Sequence, residues 1–262
     1  MYFTAKTFTP ILNTQYFTSV FGGEDGKSLP LDTQGLIRGI ETIAFPNTKF
    51  KVERACSNHI LEITTKDYPY KGPLFVDSRF LSPADETTPE RTPKLPSSCF
   101  ILKTLFSTLK EPYCWGGNCF NVQEMLVLYP PKEALPPDLC FKWQLKGFDC
   151  SGLIYYATDG FTPRNTSSWL NFGTSIPIEG KNSQEIIKCL KPLDAIVWKG
   201  HIIFIYDEKQ VIESKGGEGV ILTKIEERLE SLLLNEKKKA KNNYCNDLEE
   251  YFLIRRWHPE FI

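Results

Sequence analysis

Between Gly35 and Leu81 the apolar positions fall in short runs rich in β-branched and aromatic residues: Ile40 to Ala44, Phe50 to Val52, Ile60 to Thr65 and Leu74 to Val76. Gly22-Gly23, Pro46-Asn47, Ser57-Asn58 and Lys71-Gly72-Pro73 punctuate them. Short runs at this spacing predict the strands of a small barrel. From Leu81 to Ser98 the chain is proline-rich and poor in apolar residues, which predicts an extended linker. Cys99, Phe100, Leu102, Leu105, Phe106 and Leu109 then recur at helical spacing, with Ser97 and Ser98 as caps and Pro112 as the stop. Leu128 to Cys140 contains two Pro-Pro pairs. Proline lacks the N–H that a helix interior or a central strand needs, so this segment is expected to be a loop.

After the sequence Gly147-Phe148-Asp149-Cys150-Ser151-Gly152 a new apolar run extends from Leu153 to Ala157. A second set of strands is expected at Ala195 to Trp198, His201 to Tyr206 after a Lys199-Gly200 turn, and Val211 to Glu213. The remainder predicts an amphipathic helix near Lys224 to Leu234 and a last strand near Phe252 to Arg256. Between them, Glu236 to Lys241 reads as a solvated segment whose lysines face the acids Glu236, Asp247, Glu249 and Glu250. The pattern divides the chain into a small all-β domain (1–82), a Pro-rich linker (83–97) and a mixed α+β domain (98–262).

A chain of 262 residues, 41% apolar, buries a substantial core. Its 31 basic and 32 acidic residues nearly cancel, so no electrostatic footprint argues for nucleic acid or an anionic membrane. No window reaches the ~18 uninterrupted apolar residues of a transmembrane helix. Met1 to Lys6 lacks the basic start and apolar core of a secretory signal. The expectation is a cytoplasmic protein without stable membrane association. Eight cysteines, none in a CxxC pair, and three dispersed histidines (His59, His201, His258) give no metal site and no cofactor. Most of the cysteines read as small buried apolar residues.

Cys150 has a different context. It lies where a loop enters a helix, so its sulfur would feel the positive end of the helix dipole and the first N–H groups of the turn. Those amides suit an oxyanion hole. His201, at the start of a strand after a tight turn, is the best candidate base. A hairpin through Asp207 to Gln210 would return Glu213 beside His201 to orient the imidazole.

Four elements carry a family resemblance: Tyr113-Cys114-Trp115-Gly116-Gly117, Phe148-Asp149-Cys150-Ser151-Gly152-Leu153, Leu193-Asp194-Ala195-Ile196-Val197-Trp198 and Gly200-His201-Ile202-Ile203-Phe204-Ile205-Tyr206. In order and spacing they resemble the motifs of the NlpC-type cell-wall cysteine peptidases, over about Ser97 to Arg256. The resemblance implies an α+β fold with a papain-like NlpC-type catalytic domain, preceded by a small all-β SH3-like barrel. It implies Cys150, His201 and Glu213 as catalytic residues. Tyr113, Trp115, Asp149, Ser151, Arg164, Asn165 and Thr166 would contact substrate, Asp149 and Ser151 being equally suited to capping the helix. The pairing of domains is similar to enzymes that cut between γ-D-glutamate and a diamino acid in peptidoglycan peptides and recognise a free L-alanine where the two domains meet. A peptidoglycan-derived peptide is then the partner, and recycling of released stem peptides the role.

The sequence departs from that pattern in three places. The third catalytic position is usually His, Asn or Gln, and here it is Glu213. Arg164-Asn165-Thr166-Ser167 resembles an Arg-Asp-Ser-type segment whose carboxylate meets the ligand's ammonium, and Asn165 keeps the shape without the charge. The Pro-rich stretch Tyr129 to Pro137 lengthens the chain between Gly117 and Asp149, either as passive surface or as a wall that narrows the cleft. Two rivals stay open: an amidase or polymeric-wall lysin on the same scaffold, and a wall-peptide binder with no catalysis.

Overall fold

A computed structural model of the chain describes residues 1–56, 58–244 and 250–262. Ser57, half of one expected turn, and Cys245, Asp247 and Glu249 lie outside the described residues. In chain order the first elements are strands β1 (Tyr2–Ala5) and β2 (Thr9–Leu12), helix α1 (Phe17–Val20), and strands β3 (Ile40–Ala44), β4 (Lys49–Ala55), β5 (Ile60–Thr64), β6 (Leu74–Asp77) and β7 (Leu81–Ala84). The seven strands form an antiparallel sheet in the order β3-β2-β6-β5-β4-β1-β7. Each of the four runs read from the sequence is a strand.

Two expectations change here. Leu81 to Ala84 belongs to the sheet and not to the linker, with Tyr2 to Ala5 paired against it. Pro83 fits because β7 is an edge strand and the missing N–H costs no ladder bond. Among the described residues no pairing joins β3 to β7, so the ladder is open where a closed barrel was expected. The outer side of β3 is occupied by a side chain: Asn118 Nδ2 donates to the Ile43 carbonyl at 2.8 Å, and Asn118 Oδ1 accepts from the Ile43 N–H at 2.9 Å. The amide group thus takes the place of a neighbouring strand.

The following elements are α2 (Ser98–Ser107), β8 (Asn118–Cys119), α3 (Glu124–Leu128), α4 (Pro137–Trp143), β9 (Gly147–Phe148), α5 (Cys150–Ala157) and α6 (Thr166–Trp169). Ser97 caps α2 by accepting from the Phe100 N–H. The expected loop Leu128 to Cys140 is shorter than the proline count suggests. Pro137 opens α4 at its first position, where a missing N–H is harmless. Nor is Tyr129 passive surface: it is buried, and its carbonyl accepts from Trp143 Nε1 at 2.8 Å.

The last elements are β10 (Thr174–Ser175), α7 (Ser183–Ile187), β11 (Ala195–Trp198), β12 (His201–Ile205), β13 (Gln210–Lys215), β14 (Gly219–Lys224), α8 (Ile225–Glu230), β15 (Lys239–Ala240) and β16 (Tyr251–Arg256). Their sheet runs β10-β16-β11-β12-β13-β14, with β15 added in parallel to β16. Helix α8 continues into a π-helical turn, Ser231–Asn235. The segment after it is not simply solvated, since Lys238 is buried and Lys239–Ala240 joins the sheet. No helix of the described residues is long and apolar enough to cross a membrane.

Chain contacts group these elements into two compact units: 1–93 with 112–149, and 94–111 with 150–262. This grouping differs from the division expected at the linker. Residues 112–149 join the N-terminal strands through Asn118 on β3 and through a shared core, in which Tyr129 stacks on Phe17 at 5.9 Å and Trp143 meets Phe21 at 6.3 Å. In the second unit α2 packs on α5, and α5 on β12 and β13.

Candidate active site

Cys150 is the first residue of α5 and is buried. The approach to it is conformationally demanding. Gly147 holds φ +112°, and a Cβ there would lie 1.9 Å from the Pro112 carbonyl oxygen, so only glycine fits. As the first helical residue, Cys150 places its sulfur at the positive end of the helix. Its Sγ is 3.6 Å from Thr166 Oγ1, at the first residue of α6.

His201 stands opposite Trp198 across the Lys199-Gly200 turn, where Gly200 takes φ +91°. Its ring lies 5.0 Å from that of Trp198. The register pairs Ile205 with Val211, and strand alternation then puts His201, Ile203 and Glu213 on one face. Glu213 comes back diagonally to His201, and Nε2–H of His201 donates to Glu213 Oε2 at 2.8 Å. The Cys150 thiol is close enough to the imidazole to act on its charge. His201 and Glu213 are therefore hydrogen-bonded, with the Cys150 thiol near the ring.

Burial opposes a charge on His201, yet the interactions with Cys150 and Glu213, with their Coulomb attraction, push its pKa up to about 9. Glu213 is 1% exposed, and burial alone would raise its pKa. The His201 hydrogen bond and the charge of Arg228 overcome burial and hold it below the usual carboxylate range. Arg228, on α8, donates from Nε to Glu213 Oε1 at 2.8 Å and from Nη2 to Oε2 at 3.4 Å.

Sequence reading missed Arg228, although a signal was present. Ile225, Leu229 and Leu232 form the buried stripe of the helix, and Arg228 lies on that same stripe. A charge at such a position needs a buried partner.

Of the other expected contact residues, Thr166 lies beside Cys150. Buried Arg164 donates from Nη1 to Ser151 Oγ at 3.2 Å. Asn165 is the N-cap residue of α6 in extended conformation, and its side chain makes no cap bond. Tyr113, Trp115 and Asp149 belong to the first unit. There Tyr113 bridges Phe148, the Arg38 guanidinium lies 4.1 Å from the Trp115 ring centroid, and the Asp149 N–H donates to the Gly117 carbonyl at 2.9 Å. Among the described residues no three His, Cys, Asp or Glu side chains converge as metal ligands would.

No protein-family profile matches the chain, and no curated protein matches it. Solved structures do. An NlpC/P60 family protein from Bacillus cereus ATCC 10987 aligns with a TM-score of 0.57 and 14% identity, covering 99% of this chain and 100% of that one. NlpC2 from Trichomonas vaginalis aligns at 14% identity and a TM-score of 0.35, over 98% of this chain and 73% of its own. NlpC1 from the same organism aligns at 12% identity and 0.36, over 98% and 69%. The first likeness shows that this chain shares the mixed helix-and-sheet fold of an NlpC/P60 family protein.

Proposed function

We propose that the chain is a cysteine peptidase of the NlpC/P60 type that hydrolyses the γ-D-glutamyl–diaminopimelate bond of released peptidoglycan stem peptides with an unblocked L-alanine. The observation that carries this reading is the hydrogen bond from His201 to buried Glu213, with the helix-terminal thiol of Cys150 acting on the same imidazole. The fold shared with the Bacillus cereus protein supports it. In this reading the N-terminal strands serve as the SH3-like part. Tyr113, Trp115, Asp149, Ser151, Arg164, Asn165 and Thr166 contact the peptide.

The raised pKa of His201 favours a resting imidazolium beside Cys150. The Cys150 thiolate adds to the γ-glutamyl carbonyl carbon, and the first-turn N–H groups of α5 stabilise the oxyanion. His201 gives its proton to the diaminopimelate amine, the C–N bond breaks, and a thioester remains. Water then adds to the thioester as His201 takes its proton, and the thiolate leaves with the acid released. Glu213 holds the ring in position throughout.

Purified protein should release diaminopimelate from L-Ala-γ-D-Glu-diaminopimelate, read by product mass, and Cys150→Ala should abolish release while thermal unfolding stays close to wild type. Turnover by the Cys150→Ala variant would overturn the reading. So would cleavage between the lactyl group and L-alanine of a sugar-bearing peptide, the amidase outcome, or peptide binding without turnover.

A further inference from the structure

Glu213 poses an electrostatic problem. A lone carboxylate at 1% exposure would take up a proton and cease to be a strong acceptor. Kept ionised without relief, it would hold the imidazolium proton too firmly for transfer to a leaving amine. The groups around it resolve both difficulties.

We propose that Arg228 is a positioning residue of this site, which aims the Glu213 carboxylate at His201 and offsets its charge, so that Glu213 and Arg228 act together as a near-neutral acceptor for the imidazole. The proposal rests on the peptidase reading for its chemistry, but its geometry stands on three independent contacts. The guanidinium meets both carboxylate oxygens, at 2.8 Å and 3.4 Å. Its third nitrogen, Nη1, donates to Glu236 Oε1 at 2.6 Å. Its carbon lies 5.3 Å from the centroid of the Trp198 ring, the same ring that packs against His201. Arg228 is therefore held from both ends and from one face, as a planar fork can be and an ammonium cannot.

The charged groups facing this centre alternate in sign. Cys150 comes from α5, His201 from β12, Glu213 from β13 and Arg228 from α8. Glu236 and Lys238 come from the segment after α8. Lys238 Nζ lies 3.9 Å from Glu236 and ion-pairs with Glu250, itself near Lys199. Removing Arg228 leaves net negative charge beside His201 and Cys150. Both then hold their protons to higher pH.

The test is the pH dependence of Cys150 alkylation by iodoacetamide, followed by the mass of the peptide that carries it, together with turnover of the tripeptide. Arg228→Met should raise the alkylation midpoint by about 1 pH unit and lower kcat/KM at neutral pH by roughly tenfold. Arg228→Lys should keep the midpoint and lower kcat with KM unchanged. In a Glu213→Gln background, where no charge needs offsetting, Arg228→Met should produce no further shift. An unmoved midpoint in Arg228→Met, or an equal shift with Gln at position 213, overturns the proposal. Should Arg228→Met not fold, wild-type kcat in Arg228→Lys overturns it. A midpoint shift without any peptide turnover would sink the peptidase reading and leave this inference standing; turnover with an unmoved midpoint would do the reverse.

Discussion

Each unit buries a carboxylate on a strand, clasps it with an arginine and lays that arginine over an aromatic ring, yet only one of the two clusters is suited to chemistry. In the first unit Asp77, fully buried, accepts from Arg79 Nη2 at 2.6 Å and from the Tyr129 hydroxyl at 2.5 Å, with Arg79 lying 5.1 Å from the Tyr129 ring centroid. In the second unit Glu213 accepts from Arg228 and His201, and Arg228 lies over Trp198. The difference is the third partner. Burial and Asp77 push the Tyr129 phenol up, away from neutral pH, so it stays a fixed donor. His201, with its pKa pushed up to about 9, can still exchange a proton, and a thiol lies near it. The shared arrangement is a way to keep a buried carboxylate ionised, and a titratable partner beside a thiol gives it the chemistry the proposed function uses.

The comparison can be broken most sharply by removing the third partner. His201→Ala should lower turnover by roughly 10²- to 10⁴-fold, the typical contribution of acid–base catalysis. Tyr129→Phe should leave turnover intact and destabilise the fold by about 1.5–3 kcal/mol, the scale for a hydrogen bond to a charged group. Denaturant unfolding of both variants checks this, and lost turnover in Tyr129→Phe would contradict the assignment.

Removing the carboxylates comes next. Glu213→Ala should cost about 3–5 kcal/mol of stability by stranding the largely buried Arg228, whereas Asp77→Ala should cost less, because Arg79 reaches solvent. Only Glu213→Ala should also alter the pH profile of Cys150 alkylation.

The smallest effect is on stability against pH. The folded chain keeps the His201 proton up to about 9, whereas the unfolded chain releases it near 6.5. This contribution is therefore complete below about 6.5 and lost as pH climbs to 9. Tyr129 is raised above its ordinary value of 10.0, so its contribution declines only above that pH. Urea unfolding between pH 6 and 9.5 should show a fall that His201→Gln flattens and Tyr129→Phe does not.

Much of this was legible because local rules and tertiary outcome agree. The strands at Ile40–Ala44, Ile60–Thr64 and His201–Ile205 follow from β-branched runs between turn residues. The Ser97 cap and the turn at Gly200 follow from side-chain and backbone chemistry within a few residues. The Cys150, His201 and Glu213 series was legible for a related reason. A thiol at a helix start and a hairpin of known length specify where each side chain points, once the motif has identified the cysteine.

What escaped the sequence depends on packing between distant segments. Pro83 marked a break but occupies an edge strand, because its other side was free of pairing demands. Tyr129 sat in a proline-rich stretch, and only its fit against Phe17 and Asp77 makes it core. Lys238 looked like part of a solvated basic run until Glu236 and Glu250 gave it partners and Trp198 a ring to lie on. Sequence alone determined the helix start at Cys150 and the hairpin that brings Glu213 to His201, since those relations are local or set by strand register. The tertiary structure decided that Arg228 meets Glu213, because helix α8 could have turned a charge on its apolar stripe toward any buried acid. Where that helix packs on the sheet selects the partner.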